Sequence, residues 1–319
     1  MKKPIVFMFS GQGSHYYQMG RALYEESPVF HHWMREADAL CQEQIGLSVI
    51  KELYSPGHKK SDVFNRTLLT HSAIYMIEYA LAQTVLATGI KLDYVLGASL
   101  GELTAAVLAD VLSFEEGLTA VLNQAQMFET YCPQGAMMAV MESPYLYETH
   151  PFMKEKSELA ALNFPSHFVI SGKAEDLSQI SASLKREEIA IQDLPVSYAF
   201  HSSLIDEAAP SYLGFLKSLS FKSPILLFIS CAKKGILDTI PHAHFWDVVR
   251  QPIDFQATIE ALEKENNFIY LDLGPSGTLA TFAKYNLKDT SSQSQTYALL
   301  SPFSDDVKNF ANLSAWLSS

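Results

Sequence analysis

Asp93-Tyr94-Val95-Leu96-Gly97-Ala98-Ser99-Leu100-Gly101-Glu102-Leu103-Thr104-Ala105-Ala106 is the stretch whose reading decides the fold. Asp93 to Gly97 reads as a short apolar strand, and Glu102 to Leu112, rich in Ala and Leu, reads as a helix. Between them lies Gly97-x-Ser99-x-Gly101, the spacing of a nucleophile elbow. A strand that turns sharply into a helix raises the serine Oγ above the sheet. The glycines are needed because neighbouring backbone passes close on both sides. The helix that follows aims its free N–H groups at the serine, where they can stabilise charge on a substrate oxygen. A chance Gly-Ser-Gly spacing in a loop lacks that strand–turn–helix context.

Working outward, Ile5 to Phe9 is a continuous apolar run ended by Ser10-Gly11-Gln12-Gly13-Ser14, a buried parallel strand followed by a glycine turn. The turn lacks the Gly-Lys-Ser/Thr ending of a phosphate-binding loop and the full Gly-x-Gly-x-x-Gly of a dinucleotide site. It reads instead as a source of one oxyanion-hole N–H, with Leu100 N–H as the other. Residues 71–88 place Ile74, Ile77, Leu81 and Val85 on one helical face closed by Gly89. Phe114 to Phe128 is a second helix, with Glu115 and Glu116 in its first turn. Pro133-Gln134-Gly135 breaks the pattern. Strands at Ala136 to Met141 and Phe168 to Ser171 and a helix over 174–188 then suggest a small α+β insert ending near Val196. Strands at Ile225 to Ser230 and Phe268 to Leu273, with a helical turn at Phe245 to Arg250, return to the first pattern.

The composition suits such a reading. The chain has 319 residues, 48% hydrophobic and 18% charged, enough for a substantial core. A formal net charge of −12 argues against nonspecific binding to nucleic acid or to an anionic membrane. Cys41, Cys132 and Cys231 are too far apart for a metal-ligand pattern and too few for a disulfide framework. They read as free thiols of a cytoplasmic protein. The N-terminal apolar run is too short for a signal peptide, and Ile74 to Ile90, which carries Glu78 and Gln83, is too short and polar to span a bilayer.

A serine nucleophile needs a base. Among ten histidines, His31, His32, His242 and His244 sit in polar settings and read as surface residues, and His58 adjoins Lys59-Lys60 in a loop. His71 falls in the first turn of its helix, and His150 and His167 fall in the insert. His15, beside the first glycine turn, and His201, just after the insert, both remain as candidates. An esterase-type triad would add Asp176 or Asp193 as the carboxylate.

Six segments together resemble the malonyl-CoA:acyl-carrier-protein transacylase family, and within it the free-standing, trans-acting acyltransferases and acyl hydrolases of polyketide synthases. They are FSGQGSHYYQMG (9–20), GASLGELTAA (97–106), ALNFPSHFVISG (161–172), YAFHSSLID (198–206), FWDVVRQPIDF (245–255) and LDLGPSGTLATF (271–282). The resemblance implies an α/β fold: an α/β-hydrolase-like large subdomain with a parallel sheet (1–128 and 198–319) and an inserted ferredoxin-like subdomain (129–197), with the site in the cleft between them. It implies a Ser99–His201 dyad, with His201 oriented by a main-chain carbonyl near Gln251 and an oxyanion hole from the Gln12 and Leu100 N–H groups. Asn163 matches a cleft-lining asparagine. The resemblance implies no bound cofactor and no metal. The acyl group arrives on the phosphopantetheine of an acyl carrier protein or on CoA, and the partners are acyl carrier protein domains. Lys59-Lys60, Lys185-Arg186 and Lys233-Lys234 are the basic pairs such a partner could meet.

Two positions depart from malonyl-specific members. The family's carboxylate-binding arginine is Gln124, and no Lys or Arg occurs between Glu102 and Met153. A buried, unpaired carboxylate costs roughly 3–5 kcal/mol, a hundred- to a thousand-fold discrimination against malonyl. Ala98 replaces a histidine before the nucleophile and enlarges the acyl pocket. Phe200, in Ala-Phe-His-Ser, is the variant associated with malonyl over methylmalonyl and points the other way. The charge effect outweighs the shape effect. The expectation is therefore hydrolysis of neutral acyl groups from carrier-protein thioesters. Transacylation of malonyl or acyl units is the alternative, and a noncatalytic docking subunit is a distant one.

Overall fold

The computed structural model describes residues 3–288, 290–303 and 305–317. Its strands are β1 (Ile5–Phe9), β2 (Tyr94–Gly97), β3 (Ala136–Val140), β4 (Glu158–Phe164), β5 (His167–Gly172), β6 (Ile191–Asp193), β7 (Leu227–Ser230), β8 (Gly235–Leu237), β9 (Ile253–Asp254), β10 (Ile269–Asp272) and β11 (Gln295–Ala298). They form two sheets. The larger has the order β11-β10-β1-β2-β7-β8 and is parallel apart from the β7–β8 pair.

β1 lies in the middle of this sheet, and every one of its residues is buried. That is why its sequence is apolar without alternation. Phe7 and Phe9 face one layer of helices and join Ile74, Ile77, Leu103 and Val121 in one core. Val6 and Met8 face the other, with Leu96, Ile229, Phe255 and Leu279. The helix Thr67–Leu86 is buried on nearly every side, which explains its weak amphipathic pattern. It begins at Thr67, so His71 sits in the second turn and is buried.

The second sheet has the order β6-β3-β5-β4-β9. Its first four strands are antiparallel neighbours and come from one continuous segment. Numbered within that segment they run 4-1-3-2, the ferredoxin-like order. The helix Ala174–Arg186 packs Leu177, Ile180 and Leu184 against Met138, Val140, Phe168 and Ile170 on one face. On the other face Met137, Ala139, Ala161 and Val169 border a cavity. Strand β4 escapes the sequence reading, because Glu158-Leu-Ala-Ala-Leu-Asn-Phe164 has no clean alternation and carries two register shifts against β5. β9, from the larger part, pairs parallel with β4 and ties the two sheets together.

The helix after the elbow ends at Leu108 rather than Leu112. Asp110 takes φ +57° and turns the chain. Ser113 then opens the helix Phe114–Tyr131 with a capping box to Glu116.

A Cβ on Gly101 would overlap the Phe9 carbonyl, which is backbone at the centre of the sheet and cannot swing aside. Gly214 has nothing within 4 Å of the same position. Gly101→Ala is therefore expected to lower stability by about 3 kcal/mol or more in urea denaturation, whereas Gly214→Ala, within a helix, should raise it by about 0.5–1 kcal/mol.

Candidate active site

Ser99 stands between β2 and the helix Gly101–Leu108 with φ +57°, a conformation rarely taken by a residue with a side chain. The turn is closed by Ala98 N–H to Phe9 O at 2.9 Å and Glu102 N–H to Ser99 O at 2.9 Å. On Gly97 a Cβ would run into the Glu102 backbone, and on Gly11 it would lie 2.8 Å from Ser99 Cβ and 3.3 Å from Leu100 N. The two glycine turns thus touch. Among the described residues, neither the Gln12 nor the Leu100 backbone N–H donates to a protein acceptor. Gln12 is anchored through its side chain, with Nε2 donating to Thr70 Oγ1 at 2.7 Å.

His201 also has a left-handed backbone, φ +60°, held by its N–H to Val249 O at 2.9 Å. Ser99 Oγ lies 2.9 Å from His201 Nε2, and His201 Nδ1 lies 2.8 Å from Gln251 O. A carbonyl only accepts, so Nδ1 carries the proton and Nε2 presents its lone pair to the serine. Burial pushes the His201 pKa down to about 4; the Gln251 carbonyl opposes this, and the nearby Arg250 adds to it. The ring is neutral at pH 7, so it can accept the serine proton. No carboxylate bonds to His201 among the described residues, and Asp193 is exposed on β6. That excludes the triad arrangement.

His15 does not reach the serine. Its Nε2 lies 2.7 Å from Phe64 O, and its Nδ1 accepts from Gly13 N–H at 3.4 Å. It braces the first glycine turn. His244 corrects the surface reading. It is fully buried, with Nε2 bonded to Glu102 Oε2 at 2.7 Å. Ser230 Oγ donates to the other Glu102 oxygen at 2.8 Å. The one visible signal for this was an acid directly after Gly101, in a stretch that must be buried. The first turn has a matching support in Glu78, whose Oε1 accepts the Ser10 N–H at 2.6 Å and whose Oε2 accepts from Thr104 at 2.9 Å. Burial drives the Glu78 pKa well above the usual carboxylate range.

Ser99 and His201 open onto a cavity of about 210 Å³ that reaches from the large sheet to the inner face of the small one. Gln12, Ala98, Asn163 and Phe200 line it, as the sequence places them. Gln124 does not. It is buried on the helix Phe114–Tyr131, where its Nε2 donates to Tyr212 Oη at 3.1 Å. Phe200 occupies the cavity wall, its ring 5.3 Å from that of Phe128, one turn along from Gln124. His167 and Phe282 also line the cavity; the sequence reading places His167 in the insert without a role and does not single out Phe282. Lys233 and Lys234 are engaged by Asp247 and Asp254 at 2.7 and 2.8 Å. Among the described residues no group of three His, Cys, Asp or Glu could hold a metal, and no helix is long and apolar enough to cross a membrane.

An α/β core with a serine elbow, a carbonyl-held histidine and a ferredoxin-like cover is the architecture of acyl-transfer enzymes. The chain belongs to the acyl transferase domain family, which matches residues 6–317. It is 43% identical over 309 residues to the polyketide biosynthesis acyltransferase homolog PksD of Bacillus subtilis, covering 97% of this chain and 95% of that protein. It is 45% identical over 303 residues to the homolog BaeD of Bacillus velezensis, covering 95% and 93%. The acyltransferase domain from the second module of the salinomycin polyketide synthase superposes with a TM-score of 0.86 at 27% identity, covering 99% of this chain and 74% of that one.

The low His201 pKa sets a pH profile. Only the neutral ring can take the serine proton, and depressing the pKa keeps it neutral further into acid. The rate of Ser99 acylation by a thioester is expected to stay flat from about pH 8 to pH 6 and to fall as pH drops through about 4. A histidine at its ordinary value would already lose half its activity near pH 6.5. Stopped-flow acylation across that range distinguishes the two.

Proposed function

We propose that the chain removes neutral acyl groups from acyl-carrier-protein thioesters by way of an acyl-Ser99 ester and passes them to water. The observation that carries this reading is the neutrality of the cavity: none of its lining residues is a Lys or Arg. The position matching the family's arginine is Gln124, bonded to Tyr212. Burial lowers the pKa of both histidines in the wall, His167 and His201, so neither supplies a cation at neutral pH. A carboxylate entering this space would be desolvated without a partner.

In the proposed cycle His201 Nε2 takes the Ser99 proton as Oγ attacks the thioester carbonyl. The Gln12 and Leu100 N–H groups hold the oxyanion. Collapse breaks the C–S bond, and the leaving thiolate takes the proton from His201. Water then gives a proton to His201 and attacks the ester. The acid departs, and Ser99 regains its proton. The substrate rides on a phosphopantetheine arm, so the reaction calls for no bound cofactor. The same reading divides the chain into a core of 1–128 and 198–319 and a covering subdomain of 129–197.

The rival reading is transfer of malonyl or acyl groups from CoA to a carrier protein, and it draws on Phe200. Both readings use the same acylation step and differ in acyl group and acceptor. Carrier protein charged with acetyl or malonyl, incubated with the enzyme and weighed by mass spectrometry, separates them. Acetyl is expected to disappear at least about a hundred-fold faster than malonyl, with free carrier protein as product. Rapid labelling of Ser99 by malonyl-CoA and onward transfer to carrier protein would establish the rival.

A further inference from the structure

The cavity holds a hydrogen-bonded polar pair that the proposed acyl transfer leaves unused. His167 lies on β5 across the β4–β5 hairpin from Asn163, and both side chains line the cavity. Met137, Ala139, Ala161, Val169 and Phe282 make up the apolar part of the lining, with Gln192 and Thr278 as further polar residues. Asn163 Nδ2 and His167 Nδ1 are 3.0 Å apart, which leaves Nε2 as the ring nitrogen available to a ligand. The imidazole is fixed from two further sides. Its centroid is 5.0 Å from the Phe164 ring and 5.1 Å from the Phe282 ring. The main chain at Asn163 is anchored as well, its backbone carbonyl accepting from Asn286 Nδ2 at 2.8 Å. A mutually bonded polar pair set among apolar side chains is how a binding site fixes a substrate's orientation.

We propose that the His167–Asn163 pair binds a hydroxyl on the acyl chain, so that the preferred substrates are short acyl thioesters hydroxylated a few atoms from the thioester carbon. The proposal rests on the acyl-Ser99 reading and narrows its substrate class. Three observations select a hydroxyl. The apolar residues around the pair suit a carbon chain. Burial lowers the His167 pKa, so the ring is a neutral hydrogen-bonding group and no counter-ion for a carboxylate. Asn163 Nδ2 can only donate, so His167 Nδ1 accepts and Nε2 carries the proton, a donor that the oxygen of a hydroxyl on the chain complements.

The test compares kcat/KM for 3-hydroxybutyryl with butyryl and for 5-hydroxyhexanoyl with hexanoyl, all on carrier protein, in the wild type and in His167→Phe. The proposal expects a preference of about tenfold or more for the hydroxylated member of at least one pair. It expects that preference to fall to about one in His167→Phe. The ratio of two kcat/KM values on one enzyme preparation does not depend on how much of the variant is folded, so a folding defect cannot imitate the result. Equal rates within both pairs for the wild type, or an unchanged preference in His167→Phe, would overturn the proposal. Failure of every chain to acylate Ser99, read by intact-protein mass, would overturn the acyl-enzyme reading instead.

Discussion

At the carboxyl ends of β1 and β2 two backbone turns meet with no side chain between them. Gly11 lies against Ser99 and Leu100, and Gly101 lies against the carbonyl of Phe9. This contact fixes the spacing between the elbow and the loop that carries Gln12, and most of the site follows from it. Backbone strain is concentrated here as well. Ser99 and His201 both take positive φ, and such conformations cost on the order of 1–3 kcal/mol each. They persist because the central sheet holds one and the Val249 and Gln251 carbonyls hold the other.

Beneath the two turns lie acids whose work is structural. Glu78 gathers Ser10 and Thr104, so it links the first turn to the elbow helix. Glu102 joins the same helix to β7 through Ser230 and to the helix His244–Arg250 through His244. Asp272, its pKa raised to about 6 by burial, accepts the N–H groups of Gly274 and Ala280 at the start of the helix Thr278–Leu287. All three carboxylates lie under the turns, and His201 is oriented by a carbonyl. A carbonyl directs the Nδ1 proton without supplying a full negative charge, which fits an imidazole that stays neutral well into acid.

The parts of this arrangement legible in the sequence were those written locally. The elbow, the first glycine turn and the capped helix at Phe114 each depend on a few adjacent residues with a steric or hydrogen-bonding requirement. Choosing His201 over His15 needed the family pattern, because both lie near a turn and only tertiary packing sends one to Ser99 and the other to Phe64. His244 was misread because it was grouped with exposed His242 two residues before it, while its partner Glu102 is far away in sequence. His167 was missed for a related reason: its place on the cavity wall comes from a hairpin whose first strand, β4, has no clear alternation. Gln124 marks a different limit. The family resemblance identified which residue replaces the arginine, but not that its amide would be bound to Tyr212 away from the cavity wall.

That placement changes how the loss of the arginine acts. A glutamine reaching into the cavity would merely be a weaker ligand for a carboxylate. Gln124 instead makes a buried hydrogen bond with Tyr212, while Phe200 lines the cavity. The Phe200 ring packs against Phe128 and His71. His71 is itself held neutral, its pKa lowered to about 3 by burial. Among the described residues, no Lys or Arg lines the cavity beside this ring. An arginine placed at position 124 would first have to give up the partner that Gln124 has in Tyr212, because a guanidinium and a phenol occupy that buried space differently.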